Sequence, residues 1–177
     1  MTVEILAYIL SLSGLVLGIT ASLIKGKKMG LILVCVLVSN FLVATSYLVG
    51  GGGINGAISC YIGFLQAAIN FFFQKNNKEI PKWLIGIYAL MFIGANLMGE
   101  ISWYSILAIL ACLSFIGGIA QKNGKKYRRW HVVTSFLWCT YDILTKSYEP
   151  LVNHIIILTV DITGIIIHDL KPKRGVN

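Results

Sequence analysis

The sequence predicts an all-α membrane protein of seven transmembrane helices, two parallel three-helix bundles joined by a linker helix. Three observations lead there: long uncharged apolar runs, basic residues confined to alternate loops, and a weak internal repeat.

The 177 residues are 56% hydrophobic and 12% charged, with a mean hydropathy of +0.78. Soluble domains carry roughly 25% charged residues, so this chain lacks the polar surface that water would require. Ile5–Ile24 contains no charge, and neither does Met29–Gln74. A bilayer core of about 30 Å takes about 20 helical residues. Backbone groups in lipid are satisfied only within helices or closed barrels. Runs such as "LAYILSLSGLVLGITASLI" lack the alternation of barrel strands, so the spans are helices.

In chain order the expected spans are Glu4–Ile24, Met29–Val49, Ile54–Gln74, Pro81–Met98, Ile101–Ala120, Arg129–Thr145 and Pro150–Asp169. Only Gly99 and Glu100 separate the fourth from the fifth, and the charges decide that both are present. With seven spans, Lys25, Lys27, Lys28, Lys75, Lys78, Lys82, Lys122, Lys125, Lys126, Arg128, Arg129, Lys171, Lys173 and Arg174 share one side, and Lys146 stands alone on the other. Cytoplasmic loops collect Lys and Arg, so the N-terminus is expected outside and the C-terminus in the cytoplasm. The same bias accounts for the net charge of +8, and nucleic acid is not expected as a partner. "MTVE" lacks the basic start of a cleavable signal, so the first helix is expected to be retained.

Offsetting the chain by 98 residues places "KGKK" (25–28) on "NGKK" (123–126), Asn55 on Asn153, Ile69 on Ile167 and Lys75 on Lys173. Helices one to three would then repeat as five to seven, with helix four as the odd connector that parallel repeats need. The expected units are residues 1–78, the linker 79–99, and residues 100–177.

Polar side chains inside a bilayer need partners or water, so their placement is informative. Asn55, Ser59, Gly63, Gln66 and Asn70 of helix three share an arc of roughly 80° at about 100° per residue. Asn153, Asp161 and His168 are polar counterparts on helix seven, with Asp161 roughly 16 Å along the helix from Pro150. Helix six carries His131, Thr134, Trp138, Tyr141, Asp142 and Thr145 on one broad face, and helix two offers Asn40 and Tyr47. Aromatic walls with a few orienting polar groups suit a small-molecule pocket. Interhelical hydrogen bonding that only holds the bundle together is the competing explanation. Trp83, Trp103, Tyr104 and Trp130 lie at span ends and read as interfacial anchors. Gly14, Gly18 and Ser22 form a small-residue ridge for close helix packing.

No phosphate loop, nucleophile elbow or zinc-protease motif is present. The four cysteines lie inside apolar spans and read as packing residues. No enzymatic activity, catalytic residue, metal site or cofactor is expected.

The 3+1+3 plan resembles that of the SWEET/SemiSWEET sugar transporters and PnuC-type vitamin transporters. Asn40 with Asn55, and Trp138 with Asn153, each 15 residues apart, match their substrate-lining positions. Across nearly its whole length, through "INGAISCYIGFLQAAINFFFQKNNKEIPKW" and the W-x-x-Y-D of helix six, the chain is similar to YgjV-like bacterial inner-membrane proteins. That resemblance implies the bacterial cytoplasmic membrane and a fold, without a substrate. The SWEET-type prolines within moving helices are missing, since Pro81, Pro150 and Pro172 all lie at span ends.

The expected function is facilitative transport of a small polar metabolite (sugar-, nucleoside- or vitamin-like) by alternating access. Asn40, Tyr47, Asn55, Gln66, Asn70, Trp138, Tyr141, Asp142, Asn153 and Asp161 are the expected substrate-binding residues, with Asp142 or Asp161 meeting a cation or proton. The alternative is a non-transporting membrane sensor or a subunit of a larger membrane complex. The bilayer and a small solute are the expected partners, and homo-oligomerisation stays open.

Overall fold

A computed structural model describes residues 2–25, 28–50, 54–97 and 103–170. Among these residues the chain is all helix, with no strand: α1 Thr2–Leu23, α2 Met29–Gly50, α3 Ile54–Lys75, α4 Lys82–Leu97, α5 Ser105–Ile119, α6 Gly124–Thr145 and α7 Tyr148–Ile165. A short π-helical turn, Ile166–Leu170, continues α7. Seven helices and an all-α class agree with the sequence. Val3–Leu23, Met29–Gly50, Ala57–Lys75 and Pro150–Leu170 are long and apolar enough to cross a membrane, whereas α4 and α5 are shorter apolar helices of 16 and 15 residues.

Hydroxyl side chains inside the helices return to their own backbone. Thr20, Thr45, Thr140, Thr159 and Thr163 each donate to the carbonyl four residues earlier, at 2.8–2.9 Å. Such bonds satisfy a polar atom without a neighbouring helix, which suits a surface otherwise made of exposed residues such as Phe72 and Leu90.

Two helix ends differ from the expectation. The sixth helix starts at Gly124 instead of Arg129, because the Asn123 side chain accepts from the Lys125 amide at 2.9 Å and caps it. Basic residues read as loop therefore occupy its first turns. The fifth starts at Ser105 instead of Ile101. Between α6 and α7 the turn is tight: Lys146 adopts φ 57°, ψ 30°, and the Ser147 amide bonds the Asp142 carbonyl at 2.8 Å. That turn fixes α6 and α7 as antiparallel neighbours.

Each helix packs on the next in sequence, and α7 returns to α1, so the seven close a ring. The small-residue ridge of α1 makes this possible. A Cβ on Gly14 would come 2.6 Å from Val43 Cγ2, and one on Gly18 would come 3.3 Å from Ile157. Ser39 Oγ donates to the Gly14 carbonyl across the α1–α2 contact, at 2.7 Å. At the end where α1 finishes and α2 begins, Met29, Ile32, Leu33, Ile119 and Tyr127 form an apolar plug, each at most 1% exposed. A second cluster around Tyr88, Phe92 and Ile116 seats α4 on α3 and α5.

Candidate functional site

Inside the ring lies a cavity of about 1310 Å³ with lining residues on all seven helices. Drug-sized pockets run to about 1,000 Å³, so this space is large enough for a small molecule. Its mouth is at the end where α1 begins, beside Glu4, Gly50, Ser147 and Pro150. Its floor is set by Gly18, Val36, Gly63, Phe115, Tyr127 and His131, above the apolar plug. The α6 stripe at positions 127, 131, 134, 138, 141 and 145 follows the three–four spacing of one helix face and turns inward. Among the described lining residues there are two acids, Glu4 and Asp142, and no Lys or Arg.

Near the mouth, Nδ1 of His154 lies 2.6 Å from Oδ2 of Asp142, joining α7 to α6. The His154 ring stacks on Trp138, with centroids 5.6 Å apart and planes at 11°. Tyr141 stands edge-on to Trp138, and Tyr104, just before α5, edge-on to Tyr141. These rings give the cavity rigid apolar walls beside a carboxylate.

Deeper, the arrangement recurs with the partners exchanged. Nδ1 of His131 on α6 lies 2.7 Å from Oδ2 of Asp161 on α7. Its ring stacks on Tyr127, with centroids 5.1 Å apart and planes at 20°. Asp161 is fully buried behind His131, and its Oδ1 has no hydrogen-bond partner among the described residues. On α6 both stations share one spacing: the aromatic precedes the His or Asp by four residues, one helical turn.

Beyond the plug, Arg128 and Asp169 form a bidentate pair. Nε donates to Oδ2 at 3.1 Å and an Nη to Oδ1 at 2.6 Å. The other Nη donates to the Ile24 carbonyl at 2.6 Å, tying α6 to the end of α1 and to the π turn. Both side chains are buried, at 0% and 3% exposure. Gly164 makes room for them, since a Cβ there would come 2.8 Å from the Ser22 carbonyl oxygen and 3.0 Å from Arg128 Cδ.

Of the residues expected to bind substrate, Asn40, Tyr47, Trp138, Tyr141, Asp142 and Asn153 line the cavity. Asp161 reaches it only through His131. Gln66 and Asn70 do not line it, which corrects the expectation that the whole α3 arc faces one pocket. The cavity includes Ser59 and Gly63 of that arc and ends above Gln66 and Asn70. Gln66 is fully buried without a hydrogen-bond partner among the described residues. Asn70 instead donates to the Ile119 carbonyl at 3.0 Å. The side chain of Asn55 lies outside the described residues. Tyr104, expected as an interfacial anchor, lines the mouth, whereas Trp83 and Trp103 are exposed. His154 and Arg128 were not singled out as site residues. His154 lies two helical turns before Asp161, a spacing visible in the sequence, but nothing local marks Arg128 as buried.

No curated protein and no solved structure matches this chain. Residues 5–171 match the bacterial inner membrane protein family Imp-YgjV. That match covers nearly the whole chain, and the apolar helices and inward polar face agree with a membrane setting: the protein belongs to the YgjV family of bacterial inner membrane proteins.

Proposed function

We propose that this protein is a facilitative transporter for a small, neutral or cationic polar metabolite. In this reading all seven helices cross the inner membrane, with the N-terminus outside and the basic end in the cytoplasm. The two three-helix units, linked by α4, alternate access around the central cavity. The observation that carries the reading is the cavity itself: wide at one end, sealed at the other, and lined by polar and aromatic side chains rather than Leu and Ile alone. A purely structural bundle would fill this space, because voids forfeit packing energy.

The lining also suggests the class of solute. Two acids and no Lys or Arg among the described lining residues disfavour an anion. Trp138 and Tyr141 offer faces for a ring or a methylated amine, and Asn40 and Asn153 offer amides for hydroxyls. Rocking of α6–α7 against α1–α2 would open the basic end by separating Arg128–Asp169 from the Ile24 carbonyl.

The test is a thermal-stability screen of the purified protein against sugars, nucleosides, vitamins and organic amines, followed by counterflow in proteoliposomes with each stabilising compound. At least one compound is expected to stabilise the wild type and to exchange across the membrane, and Trp138→Ala should abolish both effects. A stabilising compound that never exchanges would turn the reading to a sensor.

A further inference from the structure

The deeper His–Asp station differs from the ion pair at the basic end in one respect. Arg128–Asp169 is fully satisfied, with both carboxylate oxygens bonded and three guanidinium nitrogens donating. Among the described residues Asp161 has a single hydrogen-bond partner, His131, and a buried Oδ1 with none. A permanently ionised carboxylate is poorly served there, because an unpaired charged oxygen out of water is costly. A carboxyl that takes up and releases a proton is well served. His131 gives it a route, since its ring lines the cavity floor while Asp161 lies sealed behind it.

The outer station sits on the same two helices. Asp142 is eleven residues beyond His131 on α6, and His154 seven before Asp161 on α7, which separates the stations by about 10–16 Å along the bundle. Between them α6 places the Thr134 and Ser135 hydroxyls on the cavity wall. The groups facing each station are few. For the deeper pair they are Tyr127 and Arg128 of α6, with Cys35 of α2 beyond Tyr127, and Arg128 is engaged by Asp169. Between Tyr8 and Lys25, α1 contributes no titratable residue. For the outer pair they are Cys139 and Tyr141 of α6 and Tyr104 just before α5, with Glu4 and Tyr47 at the mouth. No lysine or arginine among the described residues lines the cavity to fix either carboxylate in its charged form.

We infer that His131–Asp161 is a reversible proton-binding site, loaded from the cavity past Asp142–His154, so that the proposed solute movement is proton-coupled. This rests on the transport reading for its coupling, but not for its chemistry. A proton from water in the cavity adds to the imidazole–carboxylate pair, taking it from a net charge of −1 to neutral. The proton is held across the 2.7 Å Nδ1···Oδ2 contact, and release reverses the step. Loading cancels the net charge of the pair and strengthens the charge-assisted contact that ties α7 to α6 at the cavity floor. Loading would therefore change how these helices dock and so bias the closed end.

The experiment is infrared difference spectroscopy of the full-length protein in nanodiscs, between about pH 8 and pH 5, the range where imidazole titrates. Wild type is expected to show coupled changes in carboxyl and imidazole bands. Asp161→Asn should remove the carboxyl component of the deeper station, and His131→Gln its imidazole component. Asp142→Asn should remove the outer one only. Folding is checked by monodisperse elution, and if Asp161→Asn does not fold, His131→Gln decides. Difference spectra of the folded variants that superimpose on wild type overturn the proposal. No solute is needed, so the two readings fail separately. A titrating deeper station without any carried solute would keep the proton site and retire the transporter, while a flat titration would leave facilitated transport uncoupled from protons.

Discussion

Replacing Asp169 by Ala removes the carboxylate that pairs with the wholly buried Arg128 guanidinium. Arg128 would keep one bond, to the Ile24 carbonyl at 2.6 Å, and lose the two to Asp169. Breaking a buried ion pair by deleting one partner costs about 3–5 kcal/mol. Polar contacts in bilayers measure lower, because the unfolded chain in the membrane also finds partners. The expected loss is therefore about 2–3 kcal/mol, or roughly 30- to 150-fold in the unfolding equilibrium. The double change Arg128→Met with Asp169→Ala removes both charges and should recover much of that loss. Reversible unfolding of each purified variant in lipid–detergent micelles reads these values. A single variant within about 0.5 kcal/mol of wild type, or a double variant as unstable as the two singles added together, would refute the reasoning.

Other consequences follow from the same contacts. Gly164→Ala should lose about 1–3 kcal/mol, because the new methyl meets the Ser22 backbone and Arg128. Gly86→Ala, with nothing within 4 Å of its Cβ, should be neutral or gain up to about 1 kcal/mol in the same assay. Cysteines at Asn76 and Lys146, both exposed, in a background without the native four, should label from opposite membrane faces. Labelling of both from one face would contradict seven crossings. Lys122 donates to Glu79 at 2.9 Å and holds its carboxyl below the usual range. The contribution of that pair should be present at neutral pH and lost as pH falls through the lowered value, and Lys122→Gln should flatten that acid limb of the stability profile.

How much of this was legible in the sequence depends on what each feature needs. Uncharged length marks a span by itself, so α1, α2, α3 and α7 could be placed within a few residues. The start of α6 was missed because Lys125, Lys126, Arg128 and Arg129 look like loop charges, although Asn123 before them is an ordinary cap signal. Residue spacing gives the direction in which a side chain points around its helix, but not its depth in the bundle. That is why Ser59 and Gly63 were rightly grouped with Gln66 and Asn70 on one arc, yet only the first two reach the cavity. Tyr104 shows the converse, since a position at a span end gives depth and leaves direction unknown. Partners such as Arg128 and Asp169, 41 residues apart, depend on how two helices dock, which no local pattern records.

Alternating access, as proposed, requires the cavity to open in turn to the two sides of the membrane. Ser135 tests it most directly, because it lines the cavity yet is only 3% exposed, and Cys is close to it in size. In sealed vesicles holding the protein in known orientation, without its native cysteines, Ser135→Cys is treated with a membrane-impermeant thiol reagent from each side in turn. Alternating access predicts labelling from both sides, faster from the side of the α1 N-terminus, where the cavity is open. Labelling from that side alone, whatever solute or pH is supplied, would make the cavity a fixed vestibule and contradict the account.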